Sequence, residues 1–175
     1  MAFVFDSTPK STTANSFVSV SDADDYFAAH LEQSTWTDLD TPTKQSALVQ
    51  ATSRLNMEWF MGLKTTLDQR LVWPRKVVVG RELGVHGFIL DADTIPVYLQ
   101  QATCEQALVY IKINAGTFML EDEDVETMKS YKIGPLDIGV RPGLEGDRIR
   151  GKVANLLKAI GPNVWRRQIG QQLSL

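Results

Sequence analysis

The sequence predicts a mainly α-helical fold: a small bundle of about four helices with one β-hairpin, one long loop and extended arms at both ends. Three observations lead there. Over residues 41–61, Ala47, Leu48, Ala51, Leu55, Trp59 and Met61 recur at three- and four-residue spacing, the stripe of an amphipathic helix. After Pro96 a second stripe follows, Val97, Cys104, Leu108, Ile111 and Ala115 with Ala107 beside it, closed by Gly116. Residues 128–140 alternate around Gly134-Pro135, so Ile133 faces Leu136 and Tyr131 faces Ile138 across a two-residue turn.

The helix at 41–61 has a clear start, with Thr41 as cap and Pro42 in the first turn, where no amide partner is needed. Gly62 is its stop. Leu71-Val72-Trp73 is then apolar, and Pro74 holds Trp73 extended. That segment should pack back across the helix end, so that Trp59 and Trp73 fill one core and Trp73-Pro74-Arg75 forms its signature.

Residues 1–15 read as a loose arm rich in Ser, Thr and Pro, except that Phe3, Val4 and Phe5 need a covering surface. Ser21 with Asp24 three residues on reads as a capping box for a first helix reaching about Leu31, with Ala23, Tyr26, Phe27 and Leu31 inward. Trp36 follows in a loop that plugs the gap before the long helix. Residues 76–95 form an extended excursion in which Val77-Val78-Val79 has strand propensity, and Phe88 lies near its end. A loop of that length is functional or docked on a neighbour, which makes Val78, Phe88 and the hairpin's Ile133 and Leu136 interface candidates beside Phe3 and Phe5. Asp147 caps a last helix with Ile149, Val153, Leu156, Leu157 and Ile160 inward, stopped by Gly161-Pro162. The chain thus divides into an arm (1–15), a helical domain (16–161) and a tail (162–175) too short to bury its own Trp165, Ile169, Leu173 and Leu175.

Composition bounds the function. With 175 residues, 43% hydrophobic and 22% charged, the chain is one domain of ordinary soluble character. A net charge of −3 argues against a globally basic nucleic-acid binder. The charge is uneven: residues 21–40 hold six acids and no Lys or Arg, whereas residues 141–175 hold seven bases against Glu145 and Asp147. This pattern suits head-to-tail self-association or a partner gripped by the C-terminus, and equally a solvated surface. The single cysteine, Cys104, excludes an internal disulfide and lies in an apolar stripe, as a buried hydrophobe does. No apolar run reaches the ~20 residues of a membrane span, and no signal peptide opens the chain, so synthesis in the cytoplasm and no membrane partner are expected.

No catalytic constellation emerges. Phosphate-binding glycine loops, zinc-protease and nucleophile-elbow motifs are missing, and His30, His86 and Cys104 do not make a zinc set. The acidic run 121–126 reads as a solvated loop rather than a cation site. No enzymatic activity, metal or cofactor is expected.

A family resemblance rests on an ordered set of residues. Asn15-Ser16-Phe17-Val18-Ser19 with Asp22 to Asp24, Trp36, Lys44 with Ala47-Leu48 and Ala51-Thr52, then Leu55-Asn56, Trp59 and Gly62 come first. Gln69, Leu71, Trp73-Pro74-Arg75, Ile95-Pro96, Ala102 to Glu105 with Ala107-Leu108, and Lys132 to Leu136 complete it. The chain resembles the head-to-tail adaptor proteins of tailed bacteriophages over roughly residues 15–160, a group that also carries a DnaT-like single-stranded DNA-binding label. The resemblance implies a helical bundle with an added hairpin, assembled as a ring, commonly of about twelve copies, in the neck of the virion. It implies the portal protein above and a tail-side connector, terminator or nozzle protein below, with non-specific contact to double-stranded DNA in the channel. In such adaptors a C-terminal extension reaches the portal, which nominates Trp165, Arg166, Arg167, Ile169, Leu173 and Leu175 as the portal-binding tail. The alternative is a single-stranded DNA-binding replication accessory, which needs a basic groove with stacking aromatics. Only Trp165-Arg166-Arg167 supplies that juxtaposition.

Overall fold

The structure, a computed structural model, describes residues 4–78, 89–116, 131–133, 136–138, 151–161 and 164–166. The fold is mainly helical, as the sequence predicts. The described residues form helices α1 (Val20–Ala28), α2 (Gln33–Thr37), α3 (Thr41–Leu55), α4 (Val97–Asn114) and α5 (Gly151–Ala159). Seven short strands accompany them: β1 (Trp59–Phe60), β2 (Leu63–Lys64), β3 (Arg75–Val78), β4 (Ile89–Leu90), β5 (Tyr131–Ile133), β6 (Leu136–Ile138) and β7 (Trp165–Arg166).

Helix α4 is the axis of the bundle. Every residue from Ala102 to Leu108 is buried, because α3 packs on one side of it and α5 on another. A single inward stripe was therefore too narrow a description. Leu99 takes the inward place in the first turn, while Val97 is 63% exposed and Ala115 lies exposed at the C-cap. Gly116, at φ +67°, provides the left-handed residue that ends the helix, as expected.

The apolar interior has two parts, both spanned by α3 and α4. Ala47, Leu48 and Ala51 of α3 meet Cys104, Ala107 and Leu108 of α4 in a core that also holds Val18, Phe27 and Trp36. Leu55 of α3 meets Leu99 and Ala102 of α4 in the other, with Phe17, Phe60, Trp73, Leu157 and Trp165. The N-terminal half of α3 thus faces the C-terminal half of α4, and the two run antiparallel. The α1–α2 corner covers one end of this pair, and β1 and β7 close the other.

Several boundaries differ from the sequence reading. The cap of α1 is Ser19, two residues before Ser21: its Oγ accepts from the Asp22 amide at 3.1 Å and donates to the Asp22 carboxylate at 2.6 Å. The Ser-x-x-Asp pair is the expected one, moved two positions earlier, with the Asp22 carboxylate on the Ser19 hydroxyl. Trp36 is buried as foreseen but stands in the short helix α2 rather than a loop. Asp40, not Thr41, caps α3 by accepting from the Thr43 amide at 3.0 Å, with Pro42 in the first turn. Helix α3 ends at Leu55 rather than near residue 61, because Asn56 turns its carboxamide to the Val72 amide (2.7 Å) and Trp59-Phe60 enters a ladder with β7.

Residues 4–15 are tied together by hydrogen bonds rather than forming a loose arm. The Asp6 carboxylate accepts from Thr13 Oγ1 (2.6 Å), Ser11 Oγ (2.7 Å) and the Thr8 amide (2.9 Å). Asn15 closes the loop by accepting from the Asp6 amide at 2.9 Å and donating to the Val4 carbonyl at 2.7 Å. Phe5 packs half-buried against the core of its own chain. The hairpin register is the predicted one, Tyr131 opposite Ile138 and Ile133 opposite Leu136. β3 pairs with β4, Val77 opposite Leu90 and Val78 opposite Ile89, so the 76–95 excursion begins and ends as a two-stranded ribbon.

Candidate interaction surfaces

The Trp73-Pro74-Arg75 element acts as a clamp. Trp73 is buried, edge-on to Phe60 at 5.7 Å, and the Trp73–Pro74 peptide bond is cis. The Arg75 guanidinium spends its donors on backbone carbonyls: Nε on Met61 (3.0 Å), Nη1 on Val72 (3.1 Å), and Nη2 on Phe60 (3.0 Å) and Gly62. Burial lowers its pKa from the ordinary arginine value. Gln69, also buried, donates from Nε2 to the Leu71 (2.9 Å) and Pro74 (3.0 Å) carbonyls and accepts from the Thr66 amide (3.0 Å). Gly62, at φ +86°, permits the tight reversal between β1 and β2 that Arg75 then fixes.

That clamp decides which tryptophan is inside. In β1 side chains alternate, so Phe60 goes inward and Trp59 outward, 43% exposed. The expected pairing of Trp59 with Trp73 is replaced by Phe60 with Trp73. Met57 (75% exposed) and Leu63 (77%) flank Trp59 in sequence, and Lys76 stands opposite Leu63 in the β2–β3 register. Lys64 and Lys76 are both exposed. This is an apolar patch with a cationic edge on a rigid turn.

The second correction concerns Trp165. It was expected in a tail leaving the domain after Gly161, yet β7 pairs with β1, Phe60 opposite Trp165 and Trp59 opposite Arg166. Val164 and Trp165 are buried, and the Trp165 indole donates to Glu58 Oε2 at 3.1 Å while Glu58 Oε1 accepts from Arg54 at 2.8 Å. Trp165 is therefore a core residue, and the domain extends to Arg166. Of the other nominated residues, Val78, Ile133 and Leu136 are in strands at the registers given above. Phe3, Phe88, Arg167, Ile169, Leu173 and Leu175 lie outside the described residues.

The acidic first third forms the other surface. Between α1 and α2, Leu31 is wholly exposed at 106% of its reference area, where an inward position was expected. Helix α1 stops at Ala28, so Leu31 falls in the turn beyond it and loses the inward face. The corner is held from beneath. Trp36 stacks on Phe27 at 4.7 Å and donates to Asp24 at 2.6 Å, and Lys44 donates to the same oxygen at 2.9 Å. Burial pushes Asp24 upward, but these two bonds and the Lys44 charge outweigh it, and its pKa falls below the usual carboxylate value. Asp25, Glu32 and Asp38 are exposed in the same α1–α2 stretch, Glu32 meeting Lys112 at 2.6 Å.

The charge asymmetry of the chain is partly consumed inside it. Glu105, buried in α4, receives Tyr26 (2.6 Å) and Lys152 (2.7 Å) on one oxygen, with His30 Nε2 3.7 Å away. Lys152 belongs to the basic stretch 141–175, so that stretch is not simply a face for an outside acid. Burial first, and Glu105 second, raise the Tyr26 phenol and the Cys104 thiol. Cys104 is accordingly the inert buried hydrophobe expected. Among the described residues no group of three or more His, Cys, Asp or Glu could hold a metal ion, and no helix is long and apolar enough to cross a membrane. A groove of about 390 Å³ between α3 and α4, bordered by Leu39, Pro42, Ala47, Tyr110 and Ile111, brings no reactive pair together.

Sequence reasoning missed Leu31 and placed Trp59 inside. The signal for Leu31 was present: Ala28-Ala29-His30 offers no further inward apolar residue to carry the helix on. No curated protein and no solved structure matches the chain. The sequence model of one family, described as "Putative DnaT-like ssDNA binding protein", matches residues 1–163. Because the match runs through the capped α1, the Arg75 clamp and α5, the chain belongs to that family.

Proposed function

We propose that this protein is a structural, non-enzymatic virion component: a head-to-tail adaptor that forms a ring in the phage neck between the portal and a tail-side connector or terminator protein, around the double-stranded DNA channel. It is made in the host cytoplasm and incorporated on assembly. The observation that carries this reading over nucleic-acid binding is the burial of Trp165. Trp165-Arg166-Arg167 was the one tract in which an aromatic adjoined two bases, and with its indole in the core it offers no stacking platform. The exposed apolar residues among those described include Leu31 at one end and Met57, Trp59 and Leu63 at the other, as a subunit contacting neighbours requires. The test is purified protein mixed with portal and viewed by negative-stain microscopy. A closed ring on the portal is the expected result, and a protein that never joins the portal defeats the reading.

The family description favours a second reading, single-stranded DNA binding. Its surface would be Trp59, with Arg166 opposite in the ladder. In that case oligonucleotide affinity falls steeply with salt, and Trp59→Ala costs ~1–3 kcal/mol for a stacked base. Weak, Trp59-independent binding near physiological salt is the result expected for the adaptor.

A further inference from the structure

Two exposed features of this chain carry apolar side chains beside opposite charges and lie at opposite ends of the α3–α4 pair. Leu31 is exposed at the α1–α2 corner, with Asp25 in α1 and Asp38 at the end of α2 exposed as well. Beyond Leu55, Met57 precedes β1, Trp59 lies in β1 and Leu63 opens β2, all three exposed, with exposed Lys64 next to Leu63 and exposed Lys76 opposite it in the ladder. Helix α3 has 15 residues, so about 22 Å of helix separates the ends and the two surfaces do not overlap. A chain carrying an acidic apolar knob at one end and a cationic apolar patch at the other has the elements of a heterologous contact with its own copy.

We propose that the Leu31 corner of one copy docks on the Met57-Trp59-Leu63 patch of a second copy of this chain, with Asp25 and Asp38 facing Lys64 and Lys76. This contact rests on the ring reading above and names the surfaces that build it. Both sides are pre-organised. Arg75 ties the carbonyls of Phe60, Met61 and Gly62 into one fixed turn, and Trp36, wedged between Phe27 and Asp24, supports the corner. Little order is left to be imposed on association, which is where docking usually loses affinity. Leucine entering beside an indole supplies the apolar centre, and the charge rim sets orientation and excludes the like-ended arrangement, acid against acid.

The experiment uses the full chain with Leu31→Arg and Trp59→Asp, each checked by thermal melting, and Met57→Arg in place of Trp59→Asp should that variant not fold. Sedimentation over a range of concentrations should show wild type self-associating and each variant weakened about tenfold or more, as for loss of a central contact. Mixing the two variants should then yield one-to-one dimers that grow no further. One variant keeps an intact patch, the other an intact corner, and each blocks the next addition. Variants that assemble like wild type, or a mixture that stays monomeric, overturn the contact. So does wild type that sediments as a monomer at every concentration. Loss of oligonucleotide binding in Trp59→Asp with assembly unchanged also overturns it and gives the patch to nucleic acid. The ring reading is judged separately, by wild type on the portal: a ring there with both variants incorporated sinks this contact alone.

Discussion

The indole of Trp165 donates a hydrogen bond to Glu58 Oε2 at 3.1 Å, across a separation of 107 positions in the chain. The same carboxylate holds Arg54 at the end of α3, so the last described strand is tied to the first through one buried group. Trp165 and Val164 thereby complete the core that contains Phe60, Trp73 and Leu157.

Truncation therefore separates two roles of the C-terminus. Deleting residues 163–175 removes Val164 and Trp165, and Trp165→Ala alone should cost about 3–5 kcal/mol. At roughly 2–4 °C per kcal/mol for a chain of this size, Tm drops by about 6–20 °C. Stopping after Arg166 keeps the ladder with β1 and should leave Tm near the wild-type value. Calorimetry on both truncations checks this. Should portal attachment by the chain ending at Arg166 be lost while Tm is kept, the portal-binding role belongs to residues 167–175.

Arg75 offers a test of the clamp. Four carbonyls lean on one guanidinium, and an ammonium cannot reproduce its planar fork. Arg75→Ala should destabilise by about 1–3 kcal/mol for the buried acceptors left unmet. Arg75→Lys should recover only a minor part of that. Urea unfolding should show the loss as a lower midpoint at an unchanged slope. A lysine variant as stable as wild type would show that charge alone, not geometry, holds the turn.

Asp6 makes the stability depend on acid. Its carboxylate is held well below the usual range by the Thr13 and Ser11 hydroxyls and the Thr8 amide. A depressed folded pKa means that the unfolded chain binds the proton more tightly, so stability from Asp6 is complete above the unfolded carboxylate value near 4 and drains away as pH falls below it. Asp6→Asn should thus be less stable than wild type at pH 7 and converge with it in strong acid. Urea midpoints of the two proteins at pH 7, 4 and 2.5 give the comparison. Parallel curves would mean that the Asp6 loop adds no pH-dependent stability.

Much of the fold was legible because it is local. The Pro42 start of α3, the stripe through Ala47, Leu48, Ala51 and Leu55, the glycine end of α4 and the Tyr131–Ile138 register all follow from spacings within a few residues. Local signals also slipped locally: the α1 cap moved from Ser21 to Ser19 because both serines have an aspartate three residues on. The candidate surfaces were less legible. Trp59 and Trp165 were each assigned by their neighbours in sequence, one to a helical stripe and one to a free tail, and both assignments reversed.

The sequence by itself determined the helical class, the Pro42 start of α3, the Gly116 end of α4, the hairpin register and the inertness expected of Cys104, because each depends on propensity or period within one segment. Only the tertiary structure decided which indoles face water. A two-residue strand has no period to read, and its partner here lies across the whole chain. Once β1 pairs with β7, alternation sends Phe60 and Trp165 inward and leaves Trp59 on the surface, with Leu31 exposed at the other end of the helix pair.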